Sequence, residues 1–138
     1  MQQACETLTF HTGGTGLHEV TGVIAEWLDG TGIATGVLTL FCQHTSAGLL
    51  ITENASPAVP RDLLRWLAGQ APEGAHYEHA DEGPDDMPAH IRAVITGNSL
   101  TLPVADGRIM LGTWQGVFLA EHRRVPHRRK IVAHVVGD

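Results

Sequence analysis

His76, His79 and His90 are interleaved with Glu78, Asp81, Glu82, Asp85 and Asp86 in a single polar stretch. Imidazole and carboxylate are the usual ligands of zinc and other divalent metals. They are also the groups that most often carry protons near neutral pH. A second group, His44-Thr45-Ser46, follows an apolar run. Separations of 35 and 11 residues divide His44, His79 and His90. That matches no local zinc-finger spacing, so the three can share an ion only if the fold gathers them.

The elements that must do this are legible in the apolar pattern. Residues 5–12 alternate as a strand, and GVLTLFCQ (36–43), apolar on both faces, reads as a central strand delivering His44 to its carboxyl end. Leu17, Val20, Ile24, Trp27 and Leu28 recur at helical spacing, with Thr21 as N-cap and Asp29-Gly30 as the stop. Residues 60–68 form a helix with Leu63, Leu64, Trp66 and Leu67 inward and Gly69 ending it. After a loop over 70–86, a short helix begins near Pro88, turns Ile91, Val94 and Ile95 inward and stops at Gly97. His90 flanks that buried stripe. Leu100, Leu102 and Val104 alternate, Asp106-Gly107 signals a hairpin, 108–120 resumes an extended pattern, and 130–136 is the last strand. The sum is α+β: antiparallel, sandwich-like sheets with two or three short helices.

With 138 residues and 43% hydrophobic content, one domain spanning 1–138 with a real core is expected. Nine basic residues against 15 acidic ones give a net charge of −6, which argues against a general nucleic-acid or anionic-membrane binder. Five of the nine basic residues are Arg123, Arg124, Arg128, Arg129 and Lys130, a local patch suited to a small anion or to another subunit's carboxylates. Cys5 and Cys42 imply no disulfide framework. Without an apolar leader or a bilayer-length run, a cytoplasmic place is expected.

Four stretches in order, HTSAGLLITENASP (44–57), YEHADEGPDDMPAHI (77–91), GNSLTLPVADGRIMLGTWQGVFLAEH (97–122) and HRRKIVAHVVG (127–137), resemble the YjbQ-like family. Its members are often described as secondary thiamine-phosphate synthases. The resemblance implies an α+β sandwich-like domain, a homotrimer and a polar pocket able to hold a divalent metal, zinc or magnesium. By motif it points to His44, Thr45, Ser46, Glu53, His79, Asp86, His90, Trp114, Gln115, Glu121 and Arg129. Many members carry Glu-Phe-Asp-Gly-Pro-Arg after the Trp-Gln strand. This chain has Glu121-His122-Arg123-Arg124-Val125-Pro126-His127 there instead.

The expected roles follow. His44, His79 and His90 would hold the metal. Glu53, His79, Asp86 and Gln115 form the candidate catalytic set. Thr45, Ser46, Trp114, Glu121 and Arg129 would bind a small phosphorylated substrate, with Trp114 stacking on a heterocycle and Arg129 meeting phosphate. The reaction implied is weak thiamine-phosphate synthase-type transfer, joining a pyrimidine pyrophosphate to a thiazole phosphate. Alternatives are metal-dependent hydrolysis of a phosphorylated or amide metabolite, and a non-enzymatic ligand- or metal-binding module. His11, His18, His76, His122 and His134 read as surface residues, and His127 stays open.

Overall fold

The computed structural model describes residues 1–74 and 76–138. Among the described residues, eight strands and three helices follow in the order β1 (Gln2–Thr12), β2 (Gly16–Glu19), α1 (Thr21–Thr31), β3 (Gly36–Cys42), β4 (Ala47–Glu53), α2 (Ala58–Gln70), α3 (Asp86–Thr96), β5 (Ser99–Ala105), β6 (Arg108–Ile109), β7 (Gln115–Glu121) and β8 (His127–Gly137). They form two antiparallel sheets, ordered β1-β8-β3-β5-β6 and β2-β7-β4. Leu38 and Leu40 of β3 and Ile131, Ala133 and Val135 of β8 face Leu49 of β4 and Val117 and Leu119 of β7 in one core, which Ile24 and Leu28 of α1 complete. The expected α+β, sandwich-like single domain with short helices is what the chain forms.

β3 is central, as its pattern implies, but it is not apolar on two buried faces. Val37 and Phe41 are each 43% exposed on the outward face. The Asp106-Gly107 turn has φ of 52° and 71° at its two residues, the left-handed pair that a two-residue hairpin requires. The extended run expected over 108–120 is broken: only Arg108–Ile109 and Gln115–Glu121 pair.

The helices depart from expectation in instructive ways. Leu17 lies on β2, not in a helix, and α1 starts at Thr21. The Thr21 hydroxyl does not cap it; that oxygen accepts the Val117 N–H at 2.8 Å, tying the helix start to β7. The helix runs past Asp29-Gly30 and ends on Gly32, with φ of 72°. Trp66 of α2 is 55% exposed rather than inward.

In α3, Val94 and Ile95 point outward, and the buried face is Asp86, Pro88, Ala89, Arg92 and Ala93. The small side chains win this face because α3 lies almost on the β4 backbone. A Cβ on Gly48 would come within 2.4 Å of both Thr96 Oγ1 and the Gly97 carbonyl. The Leu49 N–H also donates to that carbonyl at 3.0 Å. Bulky residues at 89 and 93 would hold the helix away. Between Gln70 and Asp86 no described residue is in a helix or strand, as the expected loop requires; Ala75 lies outside the described residues.

Candidate functional site

Asp86 opens α3, where the helix dipole favours a carboxylate. His90 stands one turn further on, on the same face. The loop before the helix returns His79 and Glu82 to this point. One donor atom from each of His79, Glu82, Asp86 and His90 lies within 4.8 Å of every other. Asp86 Oδ2 is the hub, 2.7 Å from His79 Nε2 and 3.0 Å from His90 Nε2. His79 Nε2 lies 3.8 Å from Glu82.

The tautomer of His90 is set by its other nitrogen. Nδ1 lies 2.8 Å from the Thr45 carbonyl, which has no proton to give, so Nδ1 carries the hydrogen. A neutral His90 then presents its Nε2 lone pair to the Asp86 carboxylate. Two acceptors at 3.0 Å repel unless a positive charge lies between them: a second ring proton or a metal ion. Two imidazoles and two carboxylates with one ring oriented by a backbone carbonyl fit a divalent metal, and imidazole suits zinc better than magnesium.

Asp86 is 2% exposed. Burial opposes its charge, but the hydrogen bonds from the His79 side and the charges of His90 and Arg123 outweigh that and hold its carboxyl below the usual range. His79 is shifted up, chiefly by its hydrogen bond to Asp86 and then by the nearby charges of Asp86, Glu82 and Asp81. The cluster sits between two openings. A cavity of about 580 Å³ lies beside His90, walled by His44, Thr45, Ala47, Ala93, Val94 and Asn98. A smaller one of about 340 Å³ adjoins His79, with Tyr77, Pro84 and Met87.

The remaining expected site residues are distributed differently. His44 lines the larger cavity but is outside the four-residue donor set. Its Nε2 accepts the Lys130 N–H at 2.7 Å, so a neutral His44 carries its hydrogen on Nδ1 and has no free lone pair. Burial, then the Arg129 charge, pushes its pKa down.

Arg129 and Glu121 are turned inward, 4% and 0% exposed. The guanidinium donates to Glu121 through Nε at 2.8 Å and Nη2 at 2.5 Å, and through Nη2 to Ser46 Oγ at 3.0 Å. Thr12 Oγ1 donates to the same carboxylate at 2.6 Å. Burial works against the Glu121 charge, yet these donors hold its carboxyl low. Arg129, Glu121 and Ser46 therefore form an internal buttress rather than an open anion site.

Glu53, Trp114 and Gln115 lie at the other end of the small sheet. Glu53 pairs with Gln115 where Ala47 pairs with Glu121, six residues or roughly 20 Å away along the strands. Gln115 Oε1 accepts the Gly112 N–H at 2.8 Å, and Trp114 is 63% exposed. His79, Asp86, His90 and Thr45 are thus brought together, and these three are not with them.

Two residues outside the expected site set matter. Glu82 completes the donor group, and the spacing 79, 82, 86, 90 was its only sequence signal. Arg123 hides in the basic tail yet bonds Asp86 Oδ1 at 2.6 Å. His122, expected at the surface, is 1% exposed; burial, then the Arg92 charge, lowers its pKa to about 4.

Among known proteins, residues 6–138 match the family model described as UPF0047 protein YjbQ-like. A UPF0047 protein of Synechocystis is 47% identical over 99% of this chain and 94% of its own length. The YjbQ protein of Escherichia coli O157:H7 is 44% identical over 96% and 97%. A crystal structure of a YjbQ/UPF0047 protein from Clostridium acetobutylicum superimposes with a TM-score of 0.88 at 32% identity, covering 95% of this chain and 99% of that one. A conserved hypothetical protein from Thermus thermophilus gives 0.85 at 35% identity, covering 95% and 99%. The chain belongs to the YjbQ-like UPF0047 family.

Proposed function

We propose that this protein is a divalent-metal-dependent enzyme acting on a small phosphorylated metabolite, with the ion held by His79, Glu82, Asp86 and His90. The observation that carries the reading is the convergence of donor atoms from His79, Glu82, Asp86 and His90 within 4.8 Å of one another, with His90 Nε2 3.0 Å from Asp86 Oδ2 while Nδ1 is committed to Thr45. When bound, the metal supplies Lewis-acid neutralisation of charge on a phosphate or diphosphate. The chain's own residues do the rest. The Thr45 carbonyl fixes the His90 ring. Ala47, Ala93 and Val94 give the larger cavity an apolar wall for the uncharged part of a substrate, and its volume of about 580 Å³ suits a small molecule. Asn98 and Thr45, which also line it, are residue types able to hydrogen-bond a substrate.

The leading reaction is thiamine-phosphate synthase-type transfer. A thiazole nitrogen attacks the methylene carbon of the pyrimidine diphosphate, the C–O bond breaks, and pyrophosphate leaves. It needs charge neutralisation and little covalent help, which supports it beside the family resemblance. Hydrolysis of a phosphorylated metabolite is the second reading. It is favoured by the placement of Arg129 and Trp114, because the cation and flat ring that transfer would use do not reach the cavity within one chain. Metal-loaded protein given the two thiamine precursors should release pyrophosphate; release of phosphate from a monoester panel instead would select hydrolysis. Retention of ligand without turnover would leave a binding module, and failure to bind zinc, manganese or cobalt would sink the metal reading.

We propose also that three copies associate. Val37 and Phe41 on the outward face of the large sheet support this, as does the resemblance. Light scattering should give three times the 14.8 kDa of one chain, and a monomer mass would refute it. No described helix is long and apolar enough to cross a membrane. A reducing, cytoplasmic location is proposed on the exposed Cys5 and buried Cys42, both free thiols.

A further inference from the structure

Arg123 is the residue through which the end of β7 reaches the start of α3. Its Nη1 donates to Asp86 Oδ1 at 2.6 Å, its Nε to Asp85 Oδ2 at 3.0 Å, and its Nη2 to the Glu82 carbonyl at 3.1 Å. One planar guanidinium therefore grips the side chain of one donor residue and the backbone of another. Its own backbone is anchored in turn: the Arg123 N–H donates to Glu121 at 3.1 Å, and Thr15 Oγ1 donates to its carbonyl at 3.0 Å. The buried Glu121–Arg129 pair thus forms the base from which Arg123 projects.

We infer that Arg123 is the positioning residue of the metal cluster, holding Asp86 by Oδ1 so that Oδ2 alone faces the ion, and holding Glu82 in reach. The inference rests on the metal reading above. An arginine near a cation site also repels the cation, so the sign must be decided. Asp85, 7% exposed and bonded to Nε, offsets the arginine's charge. Without the guanidinium, Asp85 and Asp86 would be adjacent buried carboxylates with no cation between them, and the loop carrying Glu82 would lose its tie. Positioning therefore outweighs repulsion, and loss of Arg123 weakens metal binding. Lysine keeps the charge but cannot span three acceptors in one plane.

The test is cobalt titration of the wild type, Arg123→Lys and Arg123→Met, read by calorimetry and by the cobalt visible spectrum, with far-UV circular dichroism as a fold check. Outer ligands of this kind typically change affinity by about 10–100-fold. The expected result is wild-type binding, weakening of at least about tenfold with an altered cobalt spectrum in Arg123→Lys, and a larger loss in Arg123→Met. Equal affinity and spectrum in wild type and Arg123→Lys would overturn the inference, as would tighter binding in Arg123→Met. If Arg123→Met does not fold, Arg123→Lys decides alone. A wild type that binds no cobalt fails the metal reading itself, and the inference falls with it.

Discussion

His90 and Thr45, 45 residues apart in sequence, meet at 2.8 Å between Nδ1 and a backbone carbonyl. That contact fixes which nitrogen of His90 faces Asp86. The Lys130 N–H does the reverse to His44, occupying its lone pair. His90→Ala should therefore abolish zinc binding, and His44→Ala should leave it within about threefold of wild type, since only the first removes a free ligand. Equilibrium dialysis with elemental analysis is the measurement, and equal loss in both variants would restore His44 to the metal set.

Arg129→Ala should destabilise the fold rather than merely weaken ligand binding. It strands the fully buried Glu121 carboxylate and frees Ser46 Oγ. Breaking a buried pair by removing one partner costs about 3–5 kcal/mol. Urea unfolding should show a lower midpoint, and a wild-type midpoint would count against the buttress role.

Stability should fall on mild acidification through His122. Its folded pKa of about 4 lies below the unfolded value of about 6.5. Between those values the unfolded chain binds the extra proton, so the contribution is complete above about pH 6.5 and is lost as pH drops towards 4. The full difference is about 3 kcal/mol. Thr96 Oγ1 donates to the Arg92 carbonyl and so accepts the His122 Nε2–H at 3.2 Å, which leaves Nδ1 to take the acid proton against burial and the Arg92 charge. The lowered His44 acts in the same direction and the raised His79 opposes it. Subtracting the pH profile of His122→Gln isolates the effect, and parallel profiles would refute it.

Gly48→Ala should couple packing to the site. Its new Cβ would press on Thr96 and the Gly97 carbonyl, pushing α3 off β4. Overpacking of this kind costs about 1–3 kcal/mol. Because α3 carries both Asp86 and His90, zinc binding should weaken with the thermal midpoint. A stability loss with unchanged zinc affinity would show that α3 moves without disturbing its first turn.

The sequence by itself determined the strands β1, β3, β5 and β8 and the hairpin at Asp106-Gly107, because alternation and turn chemistry are local; β2, β4 and the start of α3 at Asp86 it did not. It also determined the residue types from which a metal site can be built. Only the tertiary structure decided which of them meet. His44 and His90 look equivalent as letters, yet backbone groups brought up from residues 130 and 45 turn Nε2 of one to a backbone N–H and leave Nε2 of the other facing Asp86. Arg123 and Arg129 belong to one basic tail, but alternation along β8 turns Arg129 inward on the same face as Ile131, while the end of β7 sends Arg123 to Asp86. The buried face of α3 followed close approach to Gly48 rather than hydrophobicity, so Val94 and Ile95 face outward. Burial and hydrogen-bond partners are set by residues distant in sequence, and no local pattern encodes them.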